Sequence, residues 1–219
     1  MQLRVVTVMR HKGILIVVSG FSGAGKGTLM KELLRTYDNY ALSISMTTRS
    51  PRQGETDGVE YFFSTRENFE KKIAEDGLIE YAEYCGNYYG TPRAYVEQQL
   101  NCGKDVILEI EIQGALKVKK KFPDALLLFV MPPSAHELKR RLIGRGTETA
   151  EVIDRRLQRA AEESEGIEAY DYLVINDDLQ KCTEEIHGIV RTARNAAARN
   201  TEFIEQIRRE LRELWKGEE

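Results

Sequence analysis

The chain has 219 residues, 42% of them apolar and 31% charged, with a formal net charge of −3. That is the make-up of a folded globular domain, and it excludes a disordered chain or one that draws nucleic acid through a global basic field. Cys85, Cys102 and Cys182 form no C-x-x-C pair, so neither a zinc site nor a disulfide framework is indicated and a reducing, cytoplasmic setting is expected.

Residues 13–19 (Gly-Ile-Leu-Ile-Val-Val-Ser) are a continuous apolar run rich in β-branched side chains. The run is too short for a membrane span, lacks a cleavage-site pattern, and reads as a strand buried on both faces of a parallel sheet. A glycine-rich turn follows, then a helical pattern from about Lys26 to Arg35. Residues 105–110 and 125–130 are further short apolar strands, each before a helical stretch, and Tyr172–Ile175 is another before a helix starting near Asp178. Strands alternating with helices predict a single α/β domain over 1–219 with a parallel sheet flanked by helices.

Two segments break the alternation. Residues 41–91, rich in tyrosine and short β-like pieces, read as a small mixed α/β insert, and the charged helical segment 138–166 reads as a lid. The core is then 10–40, 92–137 and 167–200. In 200–216, Phe203, Ile204, Ile207, Leu211 and Trp215 fall at helical spacing; such a helix is expected to pack on its own domain, a homodimer contact being the alternative.

The strongest local signal is Gly20, Phe21, Ser22, Gly23, Ala24, Gly25, Lys26, Gly27 and Thr28, between a strand and a helix. Glycines let the backbone close around phosphate oxygens, successive N–H groups and the helix start offer positive potential, and Lys26 adds a charge that can follow a transferring phosphoryl group. This predicts a P-loop fold that binds the phosphates of a nucleoside triphosphate. The strict pattern has Ser or Thr directly after the lysine; Gly27 stands there instead, so a metal contact falls to Thr28, to water, or to carboxylates elsewhere.

A phosphate loop does not name the acceptor. The informative text is Ser45-Met-Thr-Thr-Arg49-Ser-Pro-Arg52, then Gly58-Val-Glu-Tyr61-Phe-Phe, Ile79-Glu80-Tyr81 and Gly86-Asn-Tyr-Tyr89-Gly-Thr91-Pro. Singly, these residues have plainer readings, since a surface arginine is usually a solvated charge and a strand tyrosine usually packing. In this order the set closely resembles the guanylate kinase family, over Gly13 to about His187.

The resemblance implies a nucleoside monophosphate kinase that moves the γ-phosphoryl group of ATP to GMP, and to dGMP, with Mg2+ as cofactor, in purine nucleotide metabolism. It places Arg49, Arg52, Tyr61 and Tyr89 on the GMP phosphate, where planar guanidinium forks suit phosphate oxygens. Glu80 takes the guanine N1–H and 2-amino edge, a pair adenine cannot offer, and Ser45 and Thr91 meet O6. Glu109 is assigned to the magnesium shell, directly or through water, and Glu111 to the guanine side; both are expected on one side of a strand end by the period of two. The family often has Asp at one or both positions.

Arg141, Arg145 and Arg156 match lid arginines that fold over the phosphates, the alternative being a solvated helix face with acidic partners. Asn176 matches a position near the adenine. No general base is needed, because the nucleophile is a phosphate oxygen, and His11, His136 and His187 lie outside the motifs. Met9 stands where family members begin, so residues 1–8 are expected to be a misassigned or disordered extension. The rivals are a non-catalytic guanylate kinase-like protein-binding module and a related P-loop kinase for another small phosphate acceptor. No nucleic acid or membrane partner is expected.

Overall fold

The computed structural model describes residues 12–84, 86–144 and 149–216. The expectations for Arg145, Cys85, His11 and the segment 1–8 fall outside those residues. The elements run β1 (Leu15–Gly20), α1 (Lys26–Thr36), β2 (Tyr40–Leu42), β3 (Met46–Thr47), β4 (Phe62–Phe63), α2 (Arg66–Ala74), β5 (Leu78–Tyr84), β6 (Asn87–Pro92), α3 (Arg93–Asn101), β7 (Asp105–Glu109), α4 (Ile112–Lys121), β8 (Leu126–Met131), α5 (Ala135–Gly144), α6 (Ala150–Ser164), β9 (Tyr172–Ile175), α7 (Leu179–Arg194) and α8 (Thr201–Lys216).

A five-stranded parallel sheet in the order β2-β7-β1-β8-β9 forms the core. The first strand is central because its side chains are apolar in both directions. Ile14, Ile16 and Val18 face Leu29, Met30 and Leu33 of α1 and Cys182, Ile186 and Val190 of α7. Leu15 and Val17 face Val96 and Leu100 of α3 and Ala115 and Val118 of α4. Each such burial contributes about 1.5–3 kcal/mol, so β1 is held from both sides. The chain passes from β1 to β2 on one side and later reaches β8 on the other, which makes the carboxyl end of β1 a switch point where α/β sheets take ligands.

A polar anchor ties this frame together. The fully buried carboxylate of Asp105 accepts from the Ile14 backbone N–H at 2.8 Å, from Asn39 Nδ2 at 2.8 Å, and from Arg194 Nη2 at 2.6 Å. The start of β1, the start of β7 and the end of α7 therefore share one charge.

The insert is a four-stranded sheet, β4-β3-β6-β5, carrying α2. Its limits differ slightly from the expected 41–91, because Tyr40–Leu42 pairs in parallel with β7 in the core sheet, while β6 extends to Pro92. Helices α5 and α6, over the segment read as a lid, share a small core of Leu138, Leu142, Ile153 and Ala160, and α5 starts at Ala135. Phe21, inside the phosphate loop, packs against this cluster and against both main cores, and meets Phe129 edge-on at 5.1 Å.

Among the described residues, the last helix packs on its own domain less than expected: of its apolar residues Ile204 is half-buried. Phe203, Ile207, Leu211 and Trp215 are exposed, Trp215 at 78%. Amphipathic spacing shows that a helix has an apolar face but not what that face meets. No helix among the described residues is long and apolar enough to cross a membrane.

Candidate active site

The phosphate loop leaves β1 at Gly20 and enters α1 at Lys26. Gly25 has φ 92°, and a Cβ there would sit 2.6 Å from Asn176 Nδ2, so both backbone and space call for glycine. The loop is braced from behind. The Ala24 carbonyl accepts from Asn176 Nδ2 at 2.8 Å and from Arg141 Nη1 at 3.2 Å, and Arg141 Nη2 donates to the Asn176 carbonyl at 2.8 Å. Arg141 Nε donates to Glu137 Oε1 at 2.7 Å. The guanidinium groups of Arg140 and then Arg141 hold the Glu137 carboxyl down at about 2. Arg141 and Asn176 thus meet at the loop's backbone, each through the same carbonyl.

Lys26 Nζ donates to the Gly20 carbonyl at 2.6 Å and to Phe21 at 3.3 Å, which keeps its charge at the loop mouth. Arg156 of α6 reaches the same mouth, Nη1 donating to Ser22 Oγ at 3.0 Å. Gly27 and Thr28 are exposed on the first turn of α1. A cleft of about 830 Å³ opens here, with Lys26, Ser22, Glu109, Glu111, Arg156 and Tyr61 among its lining residues.

Across the cleft stands the insert. Arg49 lies 5.3 Å above the Tyr61 ring, and Tyr61 meets Tyr89 edge-on at 6.0 Å. Glu55 organises the turn: one carboxylate oxygen accepts from Arg49 Nη2 at 2.9 Å and the other from the Arg52 backbone N–H at 2.7 Å. Its carboxyl is lowered below the usual range, first by Arg49 and then by the Arg52 amide. Arg52 itself is exposed on this turn. Ser45 is half-buried, and its carbonyl accepts the Phe62 N–H at 2.8 Å to join β3 to β4.

Deeper in, Thr91 Oγ1 donates to Glu80 Oε1 at 2.8 Å. The β5–β6 register shifts between Leu78 and Tyr81, so Glu80 stands in an irregular stretch of the kind that re-aims a side chain. Burial raises the Glu80 carboxyl above its ordinary value, against the opposing pull of Thr91 and Lys117.

One correction concerns Glu109 and Glu111. Glu109 ends β7, but the backbone turns at Ile110 and Glu111 is the N-cap residue of α4. The period of two therefore does not relate them, although both still line the cleft.

A phosphate loop, facing arginines and a half-buried carboxylate at this spacing agree with the match of the guanylate kinase family profile to residues 12–193. The chain belongs to the guanylate kinase family. It is 54% identical over 181 residues to the guanylate kinase of Desulfitobacterium hafniense, covering 83% of this chain and 90% of that protein. With the guanylate kinase of Bacillus subtilis it shares 53% over 183 residues, again 83% and 90% of the two chains. The crystal structure of guanylate kinase from Anaplasma phagocytophilum superposes with a TM-score of 0.67 at 34% identity, covering 86% of this chain and 90% of that one. The guanylate kinase match ends before α8 begins.

Sequence reasoning missed three cleft residues, Arg155, Arg159 and Glu163. The signal lay in their spacing, since 155, 159 and 163 repeat at four residues along one face of α6.

Proposed function

We infer that this chain transfers the γ-phosphoryl group of ATP to GMP, releasing ADP and GDP. The observation that carries the acceptor is Glu80: a half-buried carboxylate, fixed through one oxygen by Thr91, in the same small insert as Arg49, Tyr61 and Tyr89. A carboxylate there accepts two parallel N–H bonds from guanine, whereas adenine would leave it under-paired. Ser45 and Thr91 complete the base site, and Arg49, Arg52, Tyr61 and Tyr89 take the phosphate; dGMP fits the same contacts.

The attacking atom is an oxygen of the GMP phosphate, already ionised at neutral pH, so catalysis needs alignment and charge stabilisation more than proton transfer. The loop backbone from Gly20 to Thr28 cradles the donor phosphates. Lys26 offsets the negative charge that builds on the β–γ bridge oxygen as its bond to the γ-phosphorus breaks, and Arg156, from the lid, stabilises the group in flight. Arg141 and Asn176 hold the loop that does the cradling.

The donor set suits magnesium carried by the nucleotide. Among the described residues no three His, Cys, Asp or Glu side chains gather as a metal group, and Mg2+ favours phosphate and water oxygens with one or two carboxylates. Glu109 and Thr28 would hold such an ion, through water, and its charge would offset that of the β- and γ-phosphates.

Phosphorus NMR of the purified chain with ATP, Mg2+ and GMP tests the reading. GDP and ADP signals growing in equal amounts, with ATP stable when GMP is left out, are expected. ATP consumed without GDP formation would reject it.

A further inference from the structure

The lid helix α6 touches the core at two points of the cleft, after β1 and after β7, and it does so with two different arginines. Arg156 reaches Ser22 in the phosphate loop. Arg159, three residues on, reaches the start of α4: its Nη2 donates to Glu111 Oε2 at 2.5 Å, while its Nε donates to Glu163 Oε1 at 3.0 Å. Glu163 lies one turn further along the same helix and is only 20% exposed, so its bond fixes the stem of the arginine and leaves the outer nitrogen to face Glu111.

The two carboxylates assigned to guanine are anchored differently. Glu80 is half-buried and tied to Thr91. The Glu111 side chain is 74% exposed, makes no capping bond to α4, and among the described residues is hydrogen-bonded by Arg159. Both stand at the start of α4, where Glu111 is the N-cap and a Cβ at Gly114 would lie 3.5 Å from Glu80 Oε2. An exposed glutamate samples many rotamers, and ordering it on ligand binding costs free energy unless the protein has ordered it first.

We propose that Arg159 is a positioning residue for the acceptor: it pins one oxygen of Glu111 so that the other faces the guanine edge, and it makes base recognition depend on the lid being in place. The proposal rests on the GMP-kinase reading above. Arg159 is bonded to Glu111 and Glu163, whereas Arg156 is the arginine of this helix that meets the phosphate loop, so removal of Arg159 acts on GMP and spares ATP. Loss of one charged hydrogen bond that pre-orders a binding group corresponds to a roughly tenfold rise in KM for GMP.

The test is steady-state kinetics, varying GMP and ATP separately, on the full chain and on Arg159→Ala, Arg159→Lys, Glu111→Ala and the Arg159→Ala/Glu111→Ala pair. KM for GMP should rise about tenfold in Arg159→Ala, with KM for ATP within about twofold of wild type. Arg159→Lys should recover part of the loss, and Arg159→Ala should add nothing once Glu111 is alanine. Thermal melting should stay at the wild-type value, as expected for an exposed pair. Equal rises in both KM values, additive losses in the double variant, or wild-type kinetics in Arg159→Ala would each overturn the proposal while GMP kinase activity stands. A wild-type chain that does not phosphorylate GMP removes the reading beneath it.

Discussion

The Thr91 hydroxyl donates to the Glu80 carboxylate at 2.8 Å between neighbouring strands β6 and β5, and in the function proposed above this pair sets the chemistry of the acceptor half. The bond leaves one carboxylate oxygen for a ligand, and burial keeps that oxygen short of water. Such a group recognises its ligand well and costs the empty protein stability.

That trade gives the first prediction. The Glu80 carboxyl binds its proton more tightly in the folded chain than in the unfolded one. Its favourable contribution is therefore complete below the unfolded-state value and is lost as pH rises through the raised folded value. At neutral pH the ionised side chain destabilises the fold. Glu80→Gln should melt at a higher temperature than wild type at neutral pH, with the two converging as pH falls below the carboxylate range. It should raise KM for GMP far more than KM for ATP. Melting curves across pH, with kinetics at neutral pH, check both; a lower melting temperature throughout would contradict the burial argument.

Lys26 should behave as a transition-state group. Its ammonium sits at the loop mouth on the Gly20 carbonyl. Lys26→Met should lower kcat by about a hundredfold or more, the usual loss when a charge-stabilising donor is removed. Single-turnover measurements with saturating ATP and GMP would show it as a slow chemical step.

Arg141 and Arg156 should separate. Arg141 is bound to the Ala24 and Asn176 carbonyls, so Arg141→Ala should raise KM for ATP and lower the melting temperature together. Arg156 donates to the Ser22 hydroxyl at the loop mouth, so Arg156→Ala should lower kcat more than it raises KM for ATP. Kinetics and differential scanning calorimetry on both variants make the comparison.

Asp105 carries a prediction about the frame alone. It is fully buried and joins Ile14, Asn39 and Arg194. Asp105→Ala leaves the Arg194 charge and the Ile14 N–H without their acceptor and should cost about 3 kcal/mol. Urea unfolding measures this. Activity well below the melting temperature should remain close to wild type, because Asp105 lies at the start of β7, away from its carboxyl end.

What the sequence made legible was mainly local. Residues 20–28 could be read because glycine spacing, Lys26 and the flanking strand and helix are set within a few positions of one another. The acceptor set could be read only as an ordered whole; Glu80 by itself is one glutamate in a strand, and the register shift that turns it depends on β6. Glu111 was misplaced because the strand ends where the backbone turns at Ile110, whose carbonyl accepts from Ser19 Oγ at 2.6 Å, a contact between residues 91 apart. Arg159 was passed over because it looks like any charged residue on a lid helix until Glu111 is found beside it. The last helix showed its apolar face in sequence but not its surroundings.

The most direct measurement of the central claim is an acceptor panel: ATP and Mg2+ with GMP, dGMP, AMP, CMP or UMP, reading ADP release and the identity of the diphosphate. GMP and dGMP should be phosphorylated, with kcat/KM for GMP at least about a thousandfold above AMP, as a hydrogen-bonding site rejects a base that leaves its acceptor unpaired. Strong turnover of AMP with none of GMP would contradict the assignment of Glu80 to the guanine edge.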